Sequence, residues 1–327
     1  MVENTTRLCF ISIVSLLLVS ACLSSPAGIP KLDLPGVSLL EEPSRGHISE
    51  AAWSADSQSL LVINWDEGRD HGPYGSVYLL DVKDNKTTPL LESTKLFNVR
   101  NPHLSADGVT ALFHVETSPF GYGIHALNLQ TSEVNVIFDS SLAAWSKSED
   151  AVALLDASEC PTTESSRRVI CVVDTVTGQQ KIIYSSNQRV PYGGMDWSPD
   201  NSRLVISLDE SYSNPTDPYR HRLYLYDLHS GDLSPLTSAQ IDATDPAWSP
   251  DGKYIAYSQF ENKSIGDQLM VIRADGSCKV PLIPAAGFVN SPVWSPDGNW
   301  LSVVFDFRLY KVDLNNEAIK RTLASCS

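Results

Sequence analysis

The sequence predicts an all-β protein: six four-stranded antiparallel blades closed into one ring, a six-bladed β-propeller. Three observations carry this expectation. A short turn phrase recurs six times, each copy leads into an apolar strand followed by a second recurrent phrase, and helical periodicity is absent throughout. The composition agrees: 42% of the 327 residues are hydrophobic and 19% charged, which is globular, neither disordered nor fibrous. Acidic residues outnumber basic ones 39 to 24, and a net charge of −15 argues against nucleic acid held on a basic face.

Taken from the N-terminus, residues 1–21 read as an export signal. Arg7 precedes an apolar run from Leu8 to Val19 that is too short and too interrupted by serine to favour a retained membrane helix. The segment Val19-Ser20-Ala21-Cys22 resembles a bacterial lipobox, which implies cleavage before Cys22 and a diacylglycerol on its sulfur. An ordinary signal peptide whose cleavage site happens to precede a cysteine is the other reading. Residues 22–40, rich in Ser, Pro and Gly over their first part, are expected to be the lipidated cysteine and its tether, and residues 41–327 the single propeller domain.

The turn phrase appears as Ala52-Trp53-Ser54-Ala55-Asp56, His103-Leu104-Ser105-Ala106-Asp107-Gly108, Ala144-Trp145-Ser146-Lys147-Ser148, Asp196-Trp197-Ser198-Pro199-Asp200, Ala247-Trp248-Ser249-Pro250-Asp251-Gly252 and Val293-Trp294-Ser295-Pro296-Asp297-Gly298. Its serines are 51, 41, 52, 51 and 46 residues apart. Pro sets φ for a tight turn, Asp bonds amides within it, and Gly or Asn supplies positive φ before the next strand. The Trp is expected to lie where neighbouring sheets pack face to face. The third copy departs most, with Ser148 where the others carry Asp. The second phrase is an apolar strand ending in an acid or amide, as in Tyr78-Leu79-Leu80-Asp81 and Tyr224-Leu225-Tyr226-Asp227. Four strands per period of this length make one propeller blade.

The W-S-P-D-G hairpin followed by a Y-x-x-D strand resembles the repeat of the TolB propeller family, and the resemblance covers Ser49 to Thr322. It implies a six-bladed ring and leaves function open, since propellers host binding proteins, peptidase accessory domains, lyases and lactonases alike. By fold-level analogy with TolB, whose propeller docks a peptidoglycan-associated lipoprotein, an envelope assembly role is one option.

After signal removal, Cys160, Cys171, Cys278 and Cys326 remain, an even number in an exported chain. Cys160 with Cys171 is the local choice, which leaves Cys278 with Cys326, and four free thiols are the alternative. The turn phrases share one face, so the longer loops between second and third strands, and between blades, share the other. The candidate binding face there comprises Asp66, Asp70, His71, Tyr74, Tyr122, Tyr192, Tyr212, Tyr219, Arg220, His221, Phe260, Phe307 and Arg308, with Phe288 adding to its aromatic groups.

A solvated acidic loop is the plainer reading of Asp66 to His71. No G-x-S-x-G, H-E-x-x-H or phosphate-loop motif is present, and no CxxC pair marks zinc. No catalytic residue, cofactor or resident metal is therefore expected. The leading expectation is a membrane-tethered, extracytoplasmic monomer that binds a protein, peptide or glycan of the cell envelope. The alternative is a metal-assisted hydrolase or polysaccharide lyase in which His47, His71, His103 and His221 converge at the channel mouth.

Overall fold

The computed structural model describes residues 32–43, 46–67, 73–91, 98–116, 122–158, 160, 168–186, 190–210, 220–239, 241–260 and 266–326. Strand β1 (Val37–Glu41) comes first and belongs to the last blade. Blade 1 is β2 (His47–Trp53), β3 (Ser59–Glu67), β4 (Pro73–Asp81) and β5 (Thr87–Leu91). Blade 2 is β6 (Arg100–Leu104), β7 (Thr110–Val115), β8 (Gly123–Asn128) and β9 (Val134–Phe138). Blade 3 is β10 (Leu142–Trp145), β11 (Ala151–Leu155), β12 (Arg168–Asp174) and β13 (Gln180–Ser186). Blade 4 is β14 (Val190–Trp197), β15 (Arg203–Asp209), β16 (His221–Asp227) and β17 (Leu233–Pro235). Blade 5 is β18 (Asp242–Trp248), β19 (Tyr254–Phe260), β20 (Asp267–Arg273) and β21 (Lys279–Gly287). Blade 6 is β22 (Val289–Trp294), β23 (Trp300–Phe305) and β24 (Arg308–Asp313), completed on its outside by β1. All pairs are antiparallel, and the first strand of each blade touches the first strands of its neighbours, so these six strands ring the axis.

The core is six wedges, one at each blade junction. Leu61, Ile63, Ala111 and Phe113 fill the wedge between blades 1 and 2, while Leu40, Val304, Leu309, Ile48 and Leu60 fill the one between blades 6 and 1. A strand sandwiched between two wedges is apolar on both faces, and Leu60 to Ile63 are accordingly all fully buried.

The recurrent serine organises the turn. In all six blades its hydroxyl accepts the amide five residues on at 2.9–3.0 Å, as from Ser59 to Ser54 and from Ala151 to Ser146. That hydroxyl in turn donates to the turn aspartate, 2.6 Å for Ser198 to Asp200, where this bond and those from Ser202 hold the Asp200 carboxyl down to about 2. Blade 3 keeps the geometry despite its altered sequence: Asp150 takes the bond from Ser146 at 2.9 Å, and Glu149 adopts the positive φ, 60°, that Gly108 and Gly252 adopt elsewhere.

The recurrent Trp does more than fill space. The indole N–H of Trp53, Trp197 and Trp294 donates to the carbonyl of Val293, Ala144 and Ala247 respectively, at 2.8–3.0 Å, each in the preceding blade. Trp248 breaks the pattern, its buried indole N–H having no partner. Trp197→Phe is therefore expected to cost about 1–3 kcal/mol, because the Ala144 carbonyl loses its donor, whereas Trp248→Phe gives up no hydrogen bond. Chemical denaturation of both variants checks this; equal losses contradict the role of the hook.

Two sequence expectations change. The tether does not extend to residue 40: β1 pairs Val37 with Val312 and Leu39 with Tyr310, and Leu32 and Leu34 already pack on the wedge between blades 5 and 6. The chain is also not wholly without helix. α1 (Glu317–Ala324) follows blade 6, capped by the Asn316 side chain, which accepts the Ala318 amide at 2.9 Å, and buries Ile319 in the same wedge. Two turns of helix are too short to show periodicity. Gly36, at φ 77°, lies against this helix; a Cβ there would come within 2.7 Å of Asn316. Both expected disulfides are formed, Cys160 to Cys171 and Cys278 to Cys326, the second tying the end of α1 to blade 5. Paired cysteines fit an oxidising, extracytoplasmic compartment.

Candidate functional site at the loop face and channel

Four of the six strands that ring the axis, those of blades 1, 2, 5 and 6, carry a polar residue three positions before the recurrent Trp or Leu. Around the ring this position holds Glu50, Asn101, Leu142, Gly194, Asp245 and Ser291. The pairing register shifts around this point in blades 1, 2, 4, 5 and 6, and Asn101, Asp245 and Ser291 have φ of 58°, 52° and 50°. Such bulges turn an extra backbone amide out of the ladder. The acids answer it across the blade junctions: the Glu50 carboxylate accepts the Asn101 amide at 2.6 Å, and Asp245 accepts the amide of Ser291.

Glu50 and Asp245 lie deep in the ring with only partial exposure. Burial lifts the Glu50 carboxyl to about 7, with the charge of Asp245 adding to the rise, and burial lifts Asp245 to about 6. Nearer the mouth, Asp267 stands at about 6, raised by burial and then by Asp242, Asp245 and Asp306 around it. These acids were not singled out from the sequence; aligning the six strands on their Trp is the signal that finds them.

The candidate residues divide. Asp70, His71, Tyr212, Tyr219 and Cys22 lie outside the described residues, as do the side chains of Asp66, Tyr74 and Tyr192, whose backbones belong to β3, β4 and β14. Tyr122 is exposed on blade 2, edge-on to His114 with centroids 5.3 Å apart. Arg220 is half-buried, its guanidinium donating to the Ala239 carbonyl at 2.6 Å. Arg308 donates to Glu42 at 3.0 Å. Phe260 is exposed on blade 5, while Phe307 lies between His47 and Phe288, with centroids 4.5 and 5.7 Å away.

Among the described residues, His47, His103 and His221 each have a separate partner and do not gather at one point. His221 pairs with Asp242 at 2.8 Å; burial pulls its imidazole down, but the bond to and charge of Asp242 outweigh that and raise it. His103 pairs with Glu149 of a turn phrase at 3.0 Å, and His47 packs at a tilt on Phe307. His103 opens the turn phrase of blade 2 on the turn face, whereas His47 and His221 start strands on the loop face of blades 1 and 4. Among the described residues, no three His, Cys, Asp or Glu are grouped to hold a metal ion. The two other described histidines of blade 2 stand on neighbouring strands, His114 opposite Ile124 and His125 opposite Phe113.

Comparison with known proteins shows the fold and nothing finer. No family model matches the chain, and no curated protein matches it in sequence. Among solved structures, a protein assigned as TolB from Agrobacterium tumefaciens superposes with a TM-score of 0.58 at 16% identity, covering 81% of this chain and 90% of that one. TolB from Acinetobacter baumannii gives 0.56 at 15% identity, over 83% of this chain and 64% of that one. An oligogalacturonate lyase in complex with manganese gives 0.55 at 16%, over 87% and 94%. The chain therefore has the TolB-like six-bladed propeller fold, which it shares with TolB proteins and with an oligogalacturonate lyase.

Proposed function

We propose that this chain is an extracytoplasmic binding or scaffold module, held at the membrane through lipid on Cys22, that presents the loop face of its ring to a protein, peptide or glycan of the cell envelope. One contrast between the two faces supports the reading. On the turn face, the serines and acids of the repeat bond to their own turns, whereas the loop face exposes Tyr122, Phe260 and Phe288 around an acidic channel. Exposed rings on a rigid frame are what recognition uses.

A photo-crosslinking amino acid at Tyr122 or Phe288 is expected to capture an envelope component that the same group at Lys253, on the turn face, does not. Identical capture from both faces contradicts the proposal. In the same cells, Cys22→Ala is expected to abolish palmitate labelling and release the protein from membranes, and a labelled variant removes the anchor.

A second reading has its own observation. Carboxyls at about 7 and about 6, such as Glu50 and Asp245, are poised for proton transfer near neutrality, and the oligogalacturonate lyase shares the fold. Release of unsaturated products from acidic oligosaccharides, lost in Glu50→Gln, would favour it over binding.

A further inference from the structure

The hairpin joining β23 to β24 has two residues, Asp306 and Phe307, with φ of 44° and 64°. Two consecutive positive values define the type of turn that favours Asn-Gly or Asp-Gly, because a Cβ is strained there. A phenylalanine in the second position is a costly choice that neither the wedge packing nor the turn asks for. The turn is nonetheless held from both sides. The Asp306 amide donates to the Phe288 carbonyl, and the Phe288 amide donates to the Asp306 carboxylate, both at 2.9 Å. The Ile48 amide of blade 1 donates to the Phe307 carbonyl at 3.1 Å. Gly287 makes room for this arrangement: a Cβ on it would lie 2.6 Å from the Asp306 carboxylate oxygens.

The result is a fixed aromatic ledge across blades 5, 6 and 1. Phe288 is 40% exposed and stacked on Phe307, which packs on His47. Beside it lie the carboxylates of Asp306 and Asp267, the latter within Coulombic reach of Asp242 and Asp245 as well. The nearby cations are engaged, His221 with Asp242 and Arg308 with Glu42. An apolar ledge bordered by crowded acids is complementary to a segment that is apolar and cationic together, since a positive charge relieves the crowding and is attracted to the ring faces.

We infer that the Phe288–Phe307 ledge docks an extended peptide segment of a partner protein in which an apolar residue stands next to an arginine or lysine. The inference rests on the loop-face binding proposed above and names the chemistry of the partner. The strained turn is then the means of presenting the Phe307 ring, and the acids select the charge.

The test is selection from a library of random linear dodecapeptides on the intact mature protein, with counter-selection on Phe307→Gly. Glycine suits the turn, so this variant is expected to fold with an unchanged or raised melting temperature while losing the ring. The expected result is enrichment of Arg or Lys adjacent to Leu, Phe, Trp or Tyr, with selected peptides binding Phe307→Gly at least tenfold more weakly and losing affinity as salt rises. Phe288→Ser is expected to weaken them similarly.

Selected peptides with no cationic preference, or equal binding to Phe307→Gly, overturn this inference and leave loop-face binding standing. Selection of no peptide at all overturns the inference, and crosslinking from Tyr122 then decides the broader proposal separately. A Phe307→Gly protein that fails to fold also counts against it, because the turn would then need the ring for packing; in that case the Phe288→Ser comparison must still show the loss.

Discussion

A chain that begins at Glu42 is expected to lose cooperative folding or melt far below one that begins at Leu32. The reason is the closure of blade 6. β24 has β23 on one side and only β1 on the other, so without β1 its outer edge is unpaired and Leu40 is gone from the wedge between blades 6 and 1. Loss of one well-buried leucine costs about 2–5 kcal/mol, and here the packing of Leu32, Leu34, Val37 and Leu39 on the neighbouring wedge disappears with it. An open strand edge is also a template for pairing with another copy, so the shortened chain is expected to associate. A synthetic peptide spanning residues 32–43, added in trans, is expected to restore the melting temperature and the monomer. Equal melting of the two chains, without peptide, rules out the closing role of β1.

The second large effect is one of pH. Glu50 stands near 7 in the fold against an ordinary value of 4.5, so the fold favours its neutral form. Its contribution is therefore fully present below about 4.5 and lost as pH rises through about 7, up to about 3 kcal/mol in all. Asp245 and Asp267, raised to about 6, act in the same direction.

The turn aspartates act oppositely. Asp56, Asp107 and Asp200 are held below their ordinary value by bonds from Ser54, Ser105 and Ser198, so the stability they contribute is lost only as pH falls into the acid range. Stability is expected to peak in mildly acid solution. Glu50→Gln keeps an oxygen that accepts the Asn101 amide and has no charge to bury. It is expected to raise stability at pH 8 by a few kcal/mol, to change it little at pH 4.5, and to flatten the profile between them. Denaturant melts across that range check this, and a variant that parallels the parent places the carboxylate's burial cost elsewhere.

How much of this was legible in the sequence depends on whether a feature repeats. The W-S-P-D-G phrase recurs because six identical turn geometries need the same Ser and Asp bonds, so the blades, their order and the turn face could be read directly. Even the altered third copy obeys the rule once Asp150 and Glu149 are seen to exchange duties with Ser148. Features that occur once left no such trace. β1 reads as a continuation of a Pro- and Gly-rich segment because its partner, Val312, lies at the far end of the chain. The axial acids leave a fainter trace: Glu50 and Asp245 stand at one position before the Trp, but the six strands fill that position with different residues, and only the ring brings the two acids within reach of each other. The aromatic ledge was partly visible, as Phe288 and Phe307 near one mouth, but the positive φ of Phe307 was not.

The closing strand also imposes an order in time. Val37 is among the first residues of the ring to be made and Val312 among the last, yet they are neighbours in the finished blade. During synthesis, five blades can assemble in sequence while β1 waits with its apolar residues uncovered. Contacts this distant along the chain form slowly, and exposed strands that wait are prone to misassociation. Ring closure is therefore the step at which folding helpers, crowding by sister chains, or a stalled C-terminus will decide between a finished propeller and an aggregate.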